Sequence, residues 1–143
     1  MTMRMTTQEF RKTRSRKSKY GNRKVELDGH TFDSQMEARY YQQLVWLKQA
    51  KQIKDFKLQP RYRLLDGFEK NGTRHRPIDY IADFEIHNLD GSIEVVDVKG
   101  AVTQAFGLKR KMFEKKYPHK LSVVTFDKVH GWIELDKLKK LKR

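Results

Sequence analysis

The chain of 143 residues has no cysteine, three prolines and no apolar run approaching membrane-spanning length. The missing thiols exclude disulfides and thiolate zinc sites. A membrane helix needs about 20 consecutive apolar residues, which this sequence nowhere offers. The N-terminus also lacks the apolar core of a secretory signal, so the expectation is a soluble, cytoplasmic protein. Histidines are few and scattered (His30, His75, His87, His119, His130), with no ligand spacing, which argues against a histidine zinc site. The length suits one domain with a single core.

Acids are outnumbered, 18 against 32 Lys and Arg, for a net charge of +14. The excess sits at the ends. Residues 1–24 carry nine Lys or Arg against Glu9 alone, a local +8, and residues 137–143 add +5 with no acid. The stretch between them is left at only +1. Basic arms of this kind attract polyanions, of which DNA or RNA is the usual one. The bland alternative is a solubilising tail without a specific partner. A membrane surface fits less well, because the N-terminal arm shows little amphipathic patterning.

Residues 1–22 are polar, basic and short of apolar side chains, and read as a disordered arm. Order is expected from Val25, with a hairpin turning at Asp28-Gly29. A helix follows from Ser34 to Ala50, with Met36, Tyr40, Leu44 and Leu47 as its core stripe. Ile53–Leu58 and Tyr62–Leu65 read as strand interrupted by Pro60, and Asp66–His75 as a loop. A hairpin spans Ile78 to Lys99. The next helix runs from Gln104 to Tyr117, capped by Thr103 and stopped at Pro118, with Ala105, Leu108, Met112 and Phe113 as its apolar stripe. Leu121–Phe126 is a nearly continuous apolar run, the pattern of a strand buried on both faces. A helix between it and the preceding strand makes the two parallel. A short helix near Leu135–Leu141 closes the chain. The domain layout expected is an arm at 1–22, a folded body at 23–134 and a basic helix or tail at 135–143. Trp46 and Trp132 read as core or interface.

The chemistry concentrates in Asp97-Val98-Lys99-Gly100, which closes the apolar run Ile93–Val96. On a strand, Asp97 and Lys99 point to the same face. Asp90-Gly91 is a strong hairpin signal. With a three-residue loop Leu89-Asp90-Gly91, Asn88 pairs with Ser92 and Asp83 falls directly opposite Asp97. Like charges so placed repel, and a divalent cation between them removes the repulsion. Magnesium suits such a site, because one or two carboxylates plus water and substrate phosphate commonly hold it. Two alternatives stand beside this reading. A two-residue Asp90-Gly91 turn shifts the register by one, and Asp97 with Lys99 can be a mere surface pair on an edge strand.

Glu37, Asp83, the Asp97-Val98-Lys99 triplet and the basic helix after them resemble the PD-(D/E)xK nuclease superfamily over about residues 20–126. More closely, Leu58-Gln-Pro-Arg-Tyr62, Tyr80-Ile-Ala-Asp-Phe84 and Asp97-Val-Lys-Gly-Ala-Val-Thr103 look like a phage-associated branch of small nucleases, which would place the protein in a host cytoplasm. The resemblance implies an α/β fold with a restriction-endonuclease-like αβββαβ core and a mixed central sheet. It also implies that Asp83, Asp97 and the Val98 carbonyl ligate Mg2+, with Mn2+ able to substitute. Lys99 would position or help deprotonate the attacking water, and Glu37 would reach the same metal or a second one.

One departure is visible. The proline that usually precedes the first acid is replaced by Ala82, whereas Pro77-Ile78-Asp79 lies upstream. Asp79 is therefore a rival ligand, or an outer-shell acid sharing strand parity with Asp83. Glu37 has a structural alternative too, since Ser34-Gln-Met-Glu37 fits a capping box. Gln104 is a candidate phosphate contact. Lys109 and Lys111 on the basic helix, with Arg11, Arg14, Arg16, Lys17 and Lys19 of the arm, are candidate DNA contacts, and a solvated face is the alternative for the helix pair. The function expected is a Mg2+-dependent DNA endonuclease, structure-selective on branched DNA and homodimeric. General or nicking cleavage of duplex DNA is the runner-up, and a non-catalytic packaging protein is the alternative of another class.

Overall fold

The computed structural model describes residues 24–142; the expected basic arm, with Arg11, Arg14, Arg16, Lys17 and Lys19, lies outside them. The chain divides into two compact units, with the boundary between Val45 and Trp46. Within the first unit, β1 (Val25–Leu27) and β2 (His30–Phe32) pair only with each other. The turn is the expected Asp28-Gly29, both residues at positive φ (54° and 80°), the backbone that a two-residue hairpin demands. Helix α1 (Gln35–Gln49) follows and crosses the boundary. Its buried residues are Glu37, Ala38, Tyr41 and Leu44, so of the expected Met36–Tyr40–Leu44–Leu47 stripe Leu44 is buried while the other three are half-buried. The Tyr41 ring packs 5.0 Å from Phe32, and its hydroxyl donates to Asp28, which draws the buried stripe round to the hairpin side.

The second unit is mixed α/β. Its five-stranded sheet has the order β11–β10–β9–β8–β3, from β3 (Asp55–Leu58), β8 (Phe84–His87), β9 (Ile93–Val98), β10 (Lys120–Asp127) and β11 (Gly131–Glu134). Only the β9/β10 pair is parallel, joined by the crossover helix α2 (Gln104–Lys116). Thr103 caps that helix as expected, accepting from the Phe106 N–H at 3.1 Å, and the helix stops at Tyr117 before Pro118. Its buried side chains are Phe106 and Phe113, whereas Leu108 is 55% exposed and Ala105 is exposed. The aromatic spacing Phe106–Phe113–Tyr117 sets the inward face, which keeps Phe113 and the half-buried Met112 of the expected stripe and leaves Ala105 and Leu108 out. A terminal helix α3 (Leu135–Leu141) packs on β10 and β11. It is part of the domain, because Leu135 enters the core at 4% exposure. Strand β11 was not anticipated; Asp127 makes its turn by accepting from the N–H groups of Val129 and His130, and Gly131 takes φ 72°.

The β8–β9 hairpin has the expected register. Phe84 pairs with Val96 and His87 with Ile93, the Asn88 N–H donates to the Ser92 carbonyl, and Gly91 takes φ 89°. The strand leading into it is broken, however. Residues Ile78–Ile81 form β7, which pairs with β4 (Arg61–Leu65) in a separate ribbon. The same register runs through the break, since the Gln59 N–H donates to the Asp83 carbonyl and the Ala82 N–H to the Pro60 carbonyl. Gln59 at φ 50° and Pro60 thus bend one long ribbon opposite Ala82 and Asp83. At its far end the expected loop is a hairpin, β5 (Phe68–Lys70) with β6 (Thr73–His75), turning at Asn71-Gly72 with φ 51° and 79°.

One sheet face packs with α2 and α3 around Tyr62, Tyr80, Val95, Phe113, Leu121 and Val123. Val95 and Val96 are fully buried, and each contributes roughly 1.5–3 kcal/mol by leaving water. Trp46 is 68% exposed rather than core, while Trp132 is half-buried and meets Phe126 edge-on at 5.3 Å.

Candidate active site

The ladder of β8 and β9 ends at Phe84 and Val96, and the next opposed positions are Asp83 and Asp97. There each carboxylate replaces a ladder bond. The Asp83 N–H donates to Asp97 Oδ1 at 3.0 Å, and the Val98 N–H donates to Asp83 Oδ2 at 2.8 Å. The second Asp97 oxygen, Oδ2, accepts the hydroxyl of Tyr80. Asp97 is 3% exposed and β9 is the central strand, so the surface pair on an edge strand is overturned. The repulsion inferred for two opposed acids is partly relieved by these donors, a share of the neutralisation that sequence reasoning had given wholly to a cation.

Tyr80 is buried, and burial with the adjacent Asp97 charge pushes its hydroxyl well above the usual phenol range. It therefore stays a donor. A second such pair lies alongside: Tyr62 opposes Tyr80 in the β4–β7 ladder, and its hydroxyl donates to Glu85. Burial and the Glu85 hydrogen bond raise the Tyr62 hydroxyl likewise. Burial acts to raise the Glu85 carboxyl, but the bonds from Tyr62 and His87 outweigh it and hold it below its ordinary value.

Lys99 lies one residue past the end of β9. Its ammonium sits 4.6 Å from the ring centroid of Phe106 and makes no ion pair among the described residues. The Phe106 ring is 6.0 Å from Tyr80, which in turn bonds Asp97. Asp97 and Lys99 therefore share the face covered by α2, linked through two aromatic rings rather than by contact.

The donor chemistry bears on which cation fits. No group of three or more His, Cys, Asp or Glu gathers as a metal-binding set among the described residues. A closed structural site, which takes four protein ligands, is not what the side chains offer. Two neighbouring carboxylates are present, and a carboxylate oxygen that accepts one hydrogen bond keeps a second acceptor position. Hard oxygen donors in that number match magnesium, which keeps waters and leaves room for a substrate phosphate.

A family model described as "Protein of unknown function (DUF1064)" matches residues 17–130. The chain belongs to that family. No match is found among curated proteins or among solved structures. The DUF1064 match spans β1 to β10 and with them Tyr80, Asp83, Asp97, Lys99 and Phe106.

The remaining predicted residues of this DUF1064 domain have the following surroundings. Asp79 is not beside Asp83: its carboxylate bonds Arg61 at 2.8 Å and also Arg63, and these hold it below the usual carboxylate range. The bend at Ala82–Asp83 breaks the parity that grouped the two acids, so it is Tyr80 that turns toward Asp97. Glu37 belongs to the first unit and makes bonds of the capping kind there. Its N–H donates to Ser34 Oγ at 3.1 Å, and its carboxylate accepts from the Asp33 N–H, one residue before the expected partner. Gln104 is exposed at the start of α2, and Lys109 and Lys111 follow on that helix, half-buried and exposed respectively. Sequence reasoning missed Tyr80 and Phe106. A helical aromatic three residues after a cap is a readable signal for Phe106, whereas Tyr80 emerges only from the bend.

Proposed function

We propose that this protein is a Mg2+-dependent endodeoxyribonuclease with a restriction-endonuclease-like core, acting on branched DNA as a Holliday-junction resolvase does. The observation that carries the reading is the register that sets Asp83 against Asp97 at the end of the central strands, with the Lys99 ammonium on the same face. Asp83 and Asp97 would hold the ion. The Val98 carbonyl is a third donor, because an extended residue directs its C=O to the same side as its N–H, which here meets Asp83. The ion, Mn2+ serving in its place, supplies charge neutralisation and an acidified water. Lys99, held beside Phe106 with no carboxylate on it, orients the attacking water and faces charge developing on the phosphate. Tyr80 fixes the Asp97 carboxylate. Lys109, Lys111 and the basic ends supply sequence-independent affinity through counterion release. Coordinated cutting of two strands needs two such sites, hence a homodimer.

A specific observation favours a second reading, a non-catalytic nucleic-acid-binding protein. Asp83 and Asp97 already accept protein donors, so they are tolerable without an ion. Incubation with four-way junction, duplex and single-stranded DNA, each with Mg2+ and with chelator, separates the two. Metal-dependent cutting with preference for the junction supports the nuclease. Binding without cutting in any divalent metal supports the second reading, and cutting of duplex as fast as junction reduces the first to a general or nicking endonuclease.

A further inference from the structure

The β5–β6 hairpin cannot be explained by packing. All six of its strand residues are exposed, and two isolated strands in water are marginal on their own. Yet it is carefully built. Asn71-Gly72 supplies the two positive φ angles of its turn. At its neck, a Cβ on Gly67 would lie 3.1 Å from the His75 carbonyl oxygen and 3.2 Å from Pro77, so only glycine passes without displacing its neighbours. Phe68 and His75 are paired in the ladder and stack at 4.6 Å with 24° between ring planes. Phe68 remains 45% exposed. Strand alternation puts Lys70 and Thr73 on that same face. Lys70, Arg74 and Arg76 make no ion pair among the described residues. Beside the neck opens a cleft of about 570 Å³, bordered by Gly67, Phe68, His75 and Arg76.

We infer that this hairpin is a stacking platform for an unpaired nucleobase, with Lys70 and Arg76 on the flanking phosphates. An exposed π-face among uncommitted cations is what single-stranded nucleic acid recognises, because every base stacks and every phosphate is anionic. The inference rests on the proposed function for DNA as the ligand, and deepens it by naming what the enzyme senses: bases freed from pairing near a branch. The span is compatible. Asp83 lies eight positions after His75, at most about 28 Å of chain, or roughly eight base pairs of duplex.

The test measures binding by the full chain in chelator, where cutting is silent. The probes are a DNA duplex and the same duplex with an internal bubble carrying 2-aminopurine at one unpaired position. The parent is expected to favour the bubble and to quench the 2-aminopurine. Phe68→Ala should lose about 10-fold in bubble affinity together with the quench, and Phe68→Trp should keep both. Unchanged melting of Phe68→Ala checks that the fold survives. Bubble binding by Phe68→Ala equal to the parent, or no bubble preference in the parent, overturns the inference. Cutting is scored separately in Mg2+. A parent that never cuts but shows a Phe68-dependent preference defeats the nuclease alone, and a parent that cuts while indifferent to Phe68 defeats the platform alone.

Discussion

Asp97→Asn is the most telling perturbation. Asp97 accepts two hydrogen bonds, from the Asp83 N–H and the Tyr80 hydroxyl, at 3% exposure. Alanine would strand both donors. Each unsatisfied buried group costs about 1–3 kcal/mol, roughly 2–6 kcal/mol together against a total stability of about 5–15 kcal/mol. Loss of activity in Asp97→Ala would thus say little. Asparagine is milder: its carbonyl can still accept from Asp83 and its NH2 can donate to the Tyr80 oxygen, which leaves only the Tyr80 hydroxyl proton without its acceptor. The expected loss of unfolding free energy is that of one stranded donor, about 1–3 kcal/mol, about half the alanine cost, with the fold intact by near-UV circular dichroism. Beyond that bond, only the negative charge is lost. Removing a mere outer-shell partner costs 10–100-fold in metal affinity or activity, so a ligand should cost at least about 100-fold. The assay is junction cleavage across a Mg2+ titration beside a denaturant melt. A folded Asp97→Asn protein that cuts at the parental rate refutes the role given to this carboxylate.

Four further outcomes follow from the same geometry. Lys99→Ala should abolish cutting while costing only about 0.5–1 kcal/mol, the worth of a partly exposed cation over a ring, read from cleavage and melting of one preparation. Asp79→Asn, by contrast, should retain parental cutting, since its carboxylate serves Arg61 and Arg63; a loss seen in single-turnover assays would return it to the site. Lys109→Ala and Lys111→Ala should weaken binding to all sequences alike and lower the salt slope of affinity by about one each, measured by fluorescence anisotropy over a salt series. Tyr62 and Tyr80 have folded-state values raised above the free phenol. The stability they contribute is fully present below about pH 10 and is lost as pH climbs from there toward the folded values, because the unfolded chain then releases protons the folded one keeps. Denaturant melts between neutral and strongly alkaline pH should show this fall, and Tyr62→Phe/Tyr80→Phe should flatten it.

Where a feature is written within a few neighbouring residues, it was legible. Asp90-Gly91 set the hairpin register and so the meeting of Asp83 and Asp97; Thr103 and Pro118 bounded α2; the nearly continuous apolar run after it marked a buried parallel strand. Asn71-Gly72 and Asp127 carried equally local turn signals for β5–β6 and β11 that went unread. What could not be read is the bend. It depends on Gln59, a residue that rarely takes positive φ, facing Ala82 and Asp83 across a ribbon some two dozen residues long in the chain. That bend places Tyr80 rather than Asp79 beside Asp97, whereas the opposition of Asp83 and Asp97 follows from the hairpin register alone. The inward faces of α1 and α2 were found in part, since Leu44 and Phe113 are buried as expected, while Tyr41 and Phe106 turn the rest of each stripe.

The hydrogen bonds from the Asp83 and Val98 amides have a practical corollary. Both protons point at the carboxylates proposed to hold the cation, so under that proposal the backbone carries its own pair of spectroscopic gauges. In a nitrogen–proton correlation spectrum these two resonances, unlike those elsewhere on the ladder, should move first as a divalent ion is titrated in, reporting occupancy without substrate, label or turnover.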